Sequence, residues 1–168
     1  MNVSNYSKWQ GCLETGIKYL GEGHTLKAEN HFQESLHEAE RLGVSVIIAF
    51  SARLLATAQL RNNKIEAAEA GYRKALDLCL LLNNNKGIAE AKAGLAGVYF
   101  IRGNYSQSEK LLIQAIEIYP QNASALRLAV LYSDLGQVYG QMKKWSDAEN
   151  ALLYADTLCC QHEYEKGE

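Results

Sequence analysis

Three residues in the first quarter of the chain have side chains that could bind a metal ion. His31, Glu34 and His37 stand three positions apart on a segment whose apolar spacing predicts an α-helix. Each step of three residues turns by about 60° around a helix, so the three side chains do not converge tightly on one ion. Glu34 and His37 match half of a di-iron motif, but no second copy follows. The pattern favours a solvated helix face, and no cofactor is predicted.

The cysteines give little indication of redox or nucleophilic chemistry. Cys159 and Cys160 are adjacent, but acidic residues as well as basic ones flank them, whereas a reactive thiol needs an electropositive setting. Cys79 and Cys159 lie two repeat periods apart and read as buried small hydrophobic residues. No glycine-rich phosphate loop or serine nucleophile motif is present. The chain is therefore predicted not to be an enzyme.

Small residues recur through the chain with a period of 40. We call a set of positions 40 residues apart a column. One column holds Gly16, Ala56, Ala96 and Gly136. The column twelve positions later also holds small residues, which are Ala28, Ala68, Ser108 and Ala148. Large apolar residues follow at Phe32, Tyr72, Leu112 and Leu152, and a second small residue at Ser35, Ala75, Ala115 and Ala155. Small residues one turn apart allow two helix backbones to approach closely. Each period is therefore predicted to be a helical hairpin.

Composition also predicts an all-α protein. The 168 residues can bury about 70% of the surface of the unfolded chain, and the one proline, Pro120, lies between predicted helices. Eight helices are predicted, at 8–21, 24–42, 46–61, 64–82, 86–102, 105–119, 122–142 and 145–161. The turns carry Gly23, Asn63 and Gly103 in one column, which suits a left-handed residue at a helix end, and Lys143 breaks that column.

In the residue pattern of its repeats the chain resembles the tetratricopeptide repeat family. The fourth period matches best, with Tyr132-x-x-Leu135-Gly136-x-x-Tyr139 and Ala148-x-x-x-Leu152. The period of 40 exceeds the usual 34 or so, and looks like the extended repeats of some cell-polarity scaffolds and bacterial peptide-sensing regulators. The resemblance implies a right-handed α-solenoid (superhelix) of four helical hairpins. A HEAT or armadillo array is the alternative.

The domain prediction is one repeat domain over residues 1–168. The repeats are placed at 8–43, 44–83, 84–121 and 122–161, followed by a short tail at 162–168. Asp156 stands where Leu36, Leu76 and Ile116 occupy earlier periods, so the last repeat is expected to keep that face wet and to end the array.

The resemblance implies that first helices of the hairpins line a concave face that binds partners. Carried over residue by residue, the candidate partner-binding residues are Gln10, Leu13, Ile17, Phe50, Arg53, Thr57, Arg61, Glu90, Gly97, Phe100 and Gln137. This face is largely apolar with a few charges, which suits an amphipathic helix or an extended peptide. The alternative for the apolar members is that they belong to the core between repeats.

Charge narrows the class of partner. The net charge of −2 and pI of about 6.1 give no basic surface for nucleic acid. The sequence shows neither a signal peptide nor a membrane span, so a cytoplasmic protein without membrane contact is predicted. The matching inner positions lack the Lys, Asn and Arg clamp that holds a chaperone's terminal carboxylate.

The sequence thus predicts a protein–protein interaction adaptor or scaffold that binds a peptide or helix of a partner. Two alternatives stay open: a regulatory domain that senses a small molecule or signal peptide, and a self-associating module, for which a weak homodimer is allowed. A closed pocket lined by Gly97, Gly140 and aromatic residues would favour the sensor, and an open groove the adaptor.

Overall fold

The computed structural model of the chain describes residues 3–119 and 124–166. Within those ranges all regular secondary structure is α-helical. The helices are α1 (Val3–Gly21), α2 (Thr25–Leu42), α3 (Ser45–Arg61), α4 (Ile65–Leu81), α5 (Asn85–Ile101), α6 (Tyr105–Ile118), α7 (Ala125–Gln141) and α8 (Trp145–Lys166). The predicted all-α fold of helical hairpins is confirmed.

Both outermost helices are longer than predicted. The first begins at Val3 instead of residue 8, and the last continues to Lys166, so most of the predicted tail at 162–168 is helical. Neither extension carries the small-residue columns on which the boundaries were based. The predicted turn at Pro120 lies outside the described residues.

The hairpin turns share one backbone conformation. Gly23, Asn63, Gly103 and Lys143 have φ values of 80°, 60°, 74° and 61°. The expectation that Lys143 breaks the column is therefore wrong for the backbone, because lysine adopts the left-handed conformation that its glycine and asparagine counterparts adopt more readily. Gly43 and Asn83, which end α2 and lie just beyond α4, are left-handed too.

The predicted small-residue columns are buried in the helix contacts. Ala28, Ala68 and Ser108 are fully buried, and the Ser108 hydroxyl donates a hydrogen bond to the Ala96 carbonyl at 2.9 Å. A Cβ added at Gly16 would lie 2.6 Å from the Phe32 ring, closer than side chains tolerate. The packing interpretation of the period is thus confirmed.

Two compact units can be distinguished by their internal packing. Unit 1 is Met1–Gly94 and unit 2 is Leu95–Glu168. The single-domain assignment over 1–168 stays a prediction. In unit 1 the core contains Trp9, Phe32 and Leu55, and the Trp9 indole donates to the Ser51 hydroxyl at 2.9 Å.

Unit 2 has its own buried side chains. Leu112, Ala115 and Val138 are almost completely buried. The Lys144 ammonium lies 2.8 Å from a Glu109 carboxylate oxygen and ties the start of α8 to α6.

None of the described helices is long and apolar enough to cross a bilayer.

Candidate functional site

An open depression of about 340 Å³ lies among the first helices of the hairpins in unit 1. Trp9, Val46 and Phe50 are among the aromatic and aliphatic residues of its wall. Phe50 and Val46 are 39% and 51% exposed, large values for apolar side chains beside a concave surface. The full lining is Trp9, Val46, Ile47, Ala49, Phe50, Arg53, Cys79, Asn84, Lys86, Gly87 and Glu90.

An ion pair closes one side of this depression. Arg53 from α3 and Glu90 from α5 approach to 2.8 Å, and their side chains are only 14% and 10% exposed. The Arg53 guanidinium also lies over the Phe50 ring, 5.2 Å from its centroid. Arg53 is therefore not a freely solvated charge. The depression therefore has an apolar wall, and the charges of Arg53 and Glu90 beside it compensate each other.

The opposite side is formed where α4 ends and α5 begins. The Asn84 side chain accepts a hydrogen bond from the Gly87 backbone N–H at 3.0 Å, which caps the start of α5. Cys79 lies beside Gly87, and a Cβ at residue 87 would collide with its sulfur. Burial raises the pKa of the Cys79 thiol, so the thiol is protonated at neutral pH and is a poor nucleophile.

The other candidates in unit 1 are spread over different environments. Leu13 is 7% exposed and belongs to the core, so it does not present a free surface. Ile17 is 47% exposed. Gln10 donates a hydrogen bond to Glu14 on the surface at 2.8 Å. Arg61 is exposed, with its guanidinium 3.5 Å from the Leu20 carbonyl.

The candidates in unit 2 come together around a second, smaller cavity. Gly97, Phe100 and Gln137 line a space of about 100 Å³ together with Ser108, Leu112, Asp134 and Val138. Phe100 also packs edge to face on Tyr105, with ring centroids 5.5 Å apart. Gly140 does not line this cavity, and no described atom outside its own helix backbone and adjacent residues lies within 4 Å of a Cβ placed there.

Sequence reasoning did not single out several residues of these two sites. Trp9 stands forty residues before Ala49 and eighty before Ala89, so a large ring replaces alanine in an otherwise small column. Asp134 likewise differs from Leu54 and Gly94, which precede it in its column, although the first member of that column, Glu14, is also an acid. Residues whose type differs from the other members of their column were therefore the sequence feature that could have identified these site residues.

The potential metal ligands on α2 do not form a cluster. His31 Nδ1 lies 3.9 Å from a Glu34 carboxylate oxygen, and the His31 ring stacks on Tyr19 with centroids 5.5 Å apart. Among the described residues, no group of three His, Cys, Asp or Glu side chains is arranged to hold an ion.

The geometry defines a helical-repeat fold with surface depressions, and comparison with known proteins shows a family likeness over part of the chain. Residues 87–153 match the family model described as Tetratricopeptide repeat. The resemblance drawn from the sequence motifs is thus confirmed over that segment. No curated protein matches the sequence.

Solved structures extend the fold assignment to nearly the whole chain. BtubC (BKLC) from P. vanneervenii is 19% identical with a TM-score of 0.74, covering 90% of this chain and 63% of its own. The apo form of RapI is 17% identical with a TM-score of 0.79, covering 94% and 57%. A Rap protein complexed with Competence and Sporulation Factor is 14% identical with a TM-score of 0.85, covering 95% and 45%. The chain thus spans about half to two thirds of the length of these structures, and at such identities they establish the fold.

Proposed function

We propose that the protein is a non-catalytic, cytoplasmic interaction module that binds a peptide or helix of a protein partner on its concave face. The observation that carries this proposal is the depression of about 340 Å³ in unit 1, where Phe50, Arg53 and Glu90 meet. Its apolar wall suits an aliphatic or aromatic anchor side chain, because ligand sites combine apolar lining with a few placed polar groups.

The ion pair at the edge supplies orientation. Arg53 and Glu90 neutralise each other, which leaves Lys86 as the remaining charged residue of the lining. The pair sets fixed polar groups beside the apolar wall of the depression. Affinity then comes chiefly from the buried anchor, as in helix-in-groove recognition.

Selection of peptides from a random displayed library against the full chain tests this proposal. Substituting Val46→Asp or Phe50→Ala should weaken binding of the selected peptides about tenfold or more, because an anchor in a desolvated pocket carries a large share of the affinity. Isothermal titration calorimetry measures the change, and circular dichroism checks that the helices are intact.

Leu81→Ala is the matched control for nonspecific binding of peptides to exposed apolar side chains. Leu81 is 81% exposed on α4 and does not line the depression, so its loss should leave peptide affinity unchanged. Peptides that bind the Val46 and Phe50 variants as well as the parent, or that depend on Leu81 instead, would overturn the site.

A ligand-sensing domain is the second candidate. It is favoured by the likeness to a Rap protein whose structure holds Competence and Sporulation Factor. The cavity lined by Gly97 and Phe100 gives it a further site, although Gly140 lies outside that cavity. A change of helix hydrogen exchange throughout the chain on ligand addition would distinguish a sensor from an adaptor, whose exchange should slow only at the binding face.

A further inference from the structure

Tyr72 fills a space in unit 1 that has a counterpart in unit 2. The Tyr72 side chain is 3% exposed, and its hydroxyl donates to the Thr57 hydroxyl at 3.0 Å. The ring presses on Gly94, where any Cβ would collide with it. One phenol thus occupies the space, and its single polar atom is satisfied.

Forty residues later the same three positions hold different residue types. Leu112 replaces Tyr72, Gly97 replaces Thr57 and Asp134 replaces Gly94. Leucine is shorter than tyrosine and glycine has no side chain, so the Asp134 side chain refills only part of the space. All three residues line the cavity of about 100 Å³ in unit 2, hereafter the Asp134 cavity.

The Asp134 carboxylate is the charged group of this cavity. It makes no hydrogen bond or ion pair with another described residue, although Arg127 on the same helix acts on it at longer range. The Ser108 hydroxyl is already committed to the Ala96 carbonyl. A half-buried carboxylate without a direct partner is costly, and the cost is removed when a cation enters.

We propose that the Asp134 cavity binds the cationic side chain of a partner segment, with an arginine guanidinium as the best-fitting group. A guanidinium is planar and donates two parallel hydrogen bonds to a carboxylate, and it suits the space that remains beside Asp134 where the phenol ring of Tyr72 lies one period earlier. The Phe100 ring supplies an aromatic face for the cation, and the Gln137 amide a further acceptor. The inference rests on the proposed function only in that a bound peptide supplies the side chain.

Titration with small arginine derivatives tests the cavity separately from any peptide site. Amide chemical shifts of the full chain are followed by NMR at constant ionic strength while Nα-acetyl-arginine amide is added. We expect shifts centred on Gly97, Phe100 and Asp134. Nα-acetyl-citrulline amide has nearly the same shape without the charge and should bind at least about tenfold more weakly. Equal shifts with both compounds, or no shifts at these residues, would overturn the proposal.

Two variants assign the effect to the carboxylate. Asp134→Asn removes the charge at constant size, and Asp134→Leu installs the residue that occupies position 54 two periods earlier. Both should lose the preference for arginine over citrulline. Asp156→Asn is the matched control, because Asp156 is an exposed aspartate of the same unit outside the cavity. If Asp134→Asn kept the preference, or Asp156→Asn lost it, binding would reflect overall charge and the Asp134 cavity would not be the site. The peptide selection can fail without affecting this result.

Discussion

A single residue, Lys143, stores backbone strain that glycine avoids at the equivalent position of two other repeats. Its φ of 61° is left-handed, whereas glycine provides that conformation at positions 23 and 103 and asparagine at position 63. A side chain with a Cβ has a steric penalty there that glycine does not.

Replacing this lysine by glycine should stabilise the protein. Lys143→Gly is expected to raise the free energy of unfolding by about 0.5–1 kcal/mol, since relief of the left-handed strain exceeds the added freedom of the unfolded chain. Urea denaturation measures the change. Lys143→Ala is the control, because it removes the charge and keeps the Cβ, and it should give no gain. Equal stabilisation by both substitutions would assign the effect to charge instead of backbone conformation.

Asp134 gives a second prediction at the scale of one residue. Burial raises the pKa of its carboxyl group, and the positive charge of Arg127 opposes the shift. The α5 and α6 residues that line its cavity, Gly97, Phe100, Ser108 and Leu112, carry no titratable group. The folded state therefore holds the Asp134 proton to higher pH than the unfolded state does, and the contribution of this group to stability falls as pH rises through that interval.

Asp134→Asn should accordingly raise the melting temperature at pH 7. The difference between variant and parent should shrink as pH falls and should vanish below about pH 3.9, where aspartate is protonated in the unfolded state too. Differential scanning calorimetry at several pH values measures both melting temperatures. A variant less stable than the parent at pH 7 would mean that Asp134 has a favourable partner in the unbound protein.

At the scale of helices, the Arg53–Glu90 pair joins α3 to α5 within unit 1. The two side chains are mostly buried, so removing one charge strands the other in a poorly solvated place. Arg53→Met keeps much of the apolar stem and should lower the free energy of unfolding by about 1–3 kcal/mol.

The double variant Arg53→Met/Glu90→Leu should recover most of that loss, because no unpaired charge remains. Arg61→Met is the matched control: Arg61 is exposed, and its replacement should change stability by less than about 0.5 kcal/mol. Chemical denaturation of the parent and the three variants measures these differences. Similar losses for Arg53→Met and Arg61→Met would show that burial of the pair is unimportant.

At the scale of the whole molecule, the exposed apolar side chains of α8 allow a test of self-association. This helix exposes Trp145, Leu152, Leu153 and Tyr154, and Asp156 is also exposed on it. A charge among apolar side chains discourages contact between copies, whereas Leu36, its counterpart in the first repeat, is buried.

Asp156→Leu should therefore increase the mass measured by light scattering at micromolar concentration. Asp77→Leu makes the same chemical change at an exposed position on α4 and should leave the mass unchanged. An unchanged mass for Asp156→Leu would indicate that this face of α8 does not mediate contacts between copies.

The sequence by itself determined the repeat architecture, because close helix packing requires small residues at fixed spacing and a fixed period displays them. The period alone predicts helix contacts at Gly16, Ala96 and Ser108, and all three residues are buried. Leu13 shows the limit of the same reasoning. The resemblance placed this residue on the partner-binding face, but it lies in the core. The residue types in one column do not reveal how far each helix is rotated about its own axis relative to its neighbours.

Only the tertiary structure decided which departures from the period come together. Arg53 and Glu90 belong to different hairpins and meet because α3 and α5 approach each other beside the unit 1 depression. Leu112, Gly97 and Asp134 become a cavity because three separate substitutions fall around one missing ring. A column of the sequence shows which residue type occupies one position in successive repeats. A site is formed by residues from different columns that lie close together in the folded chain. Which residues come together depends on side-chain volume and on the rotation of each helix about its axis.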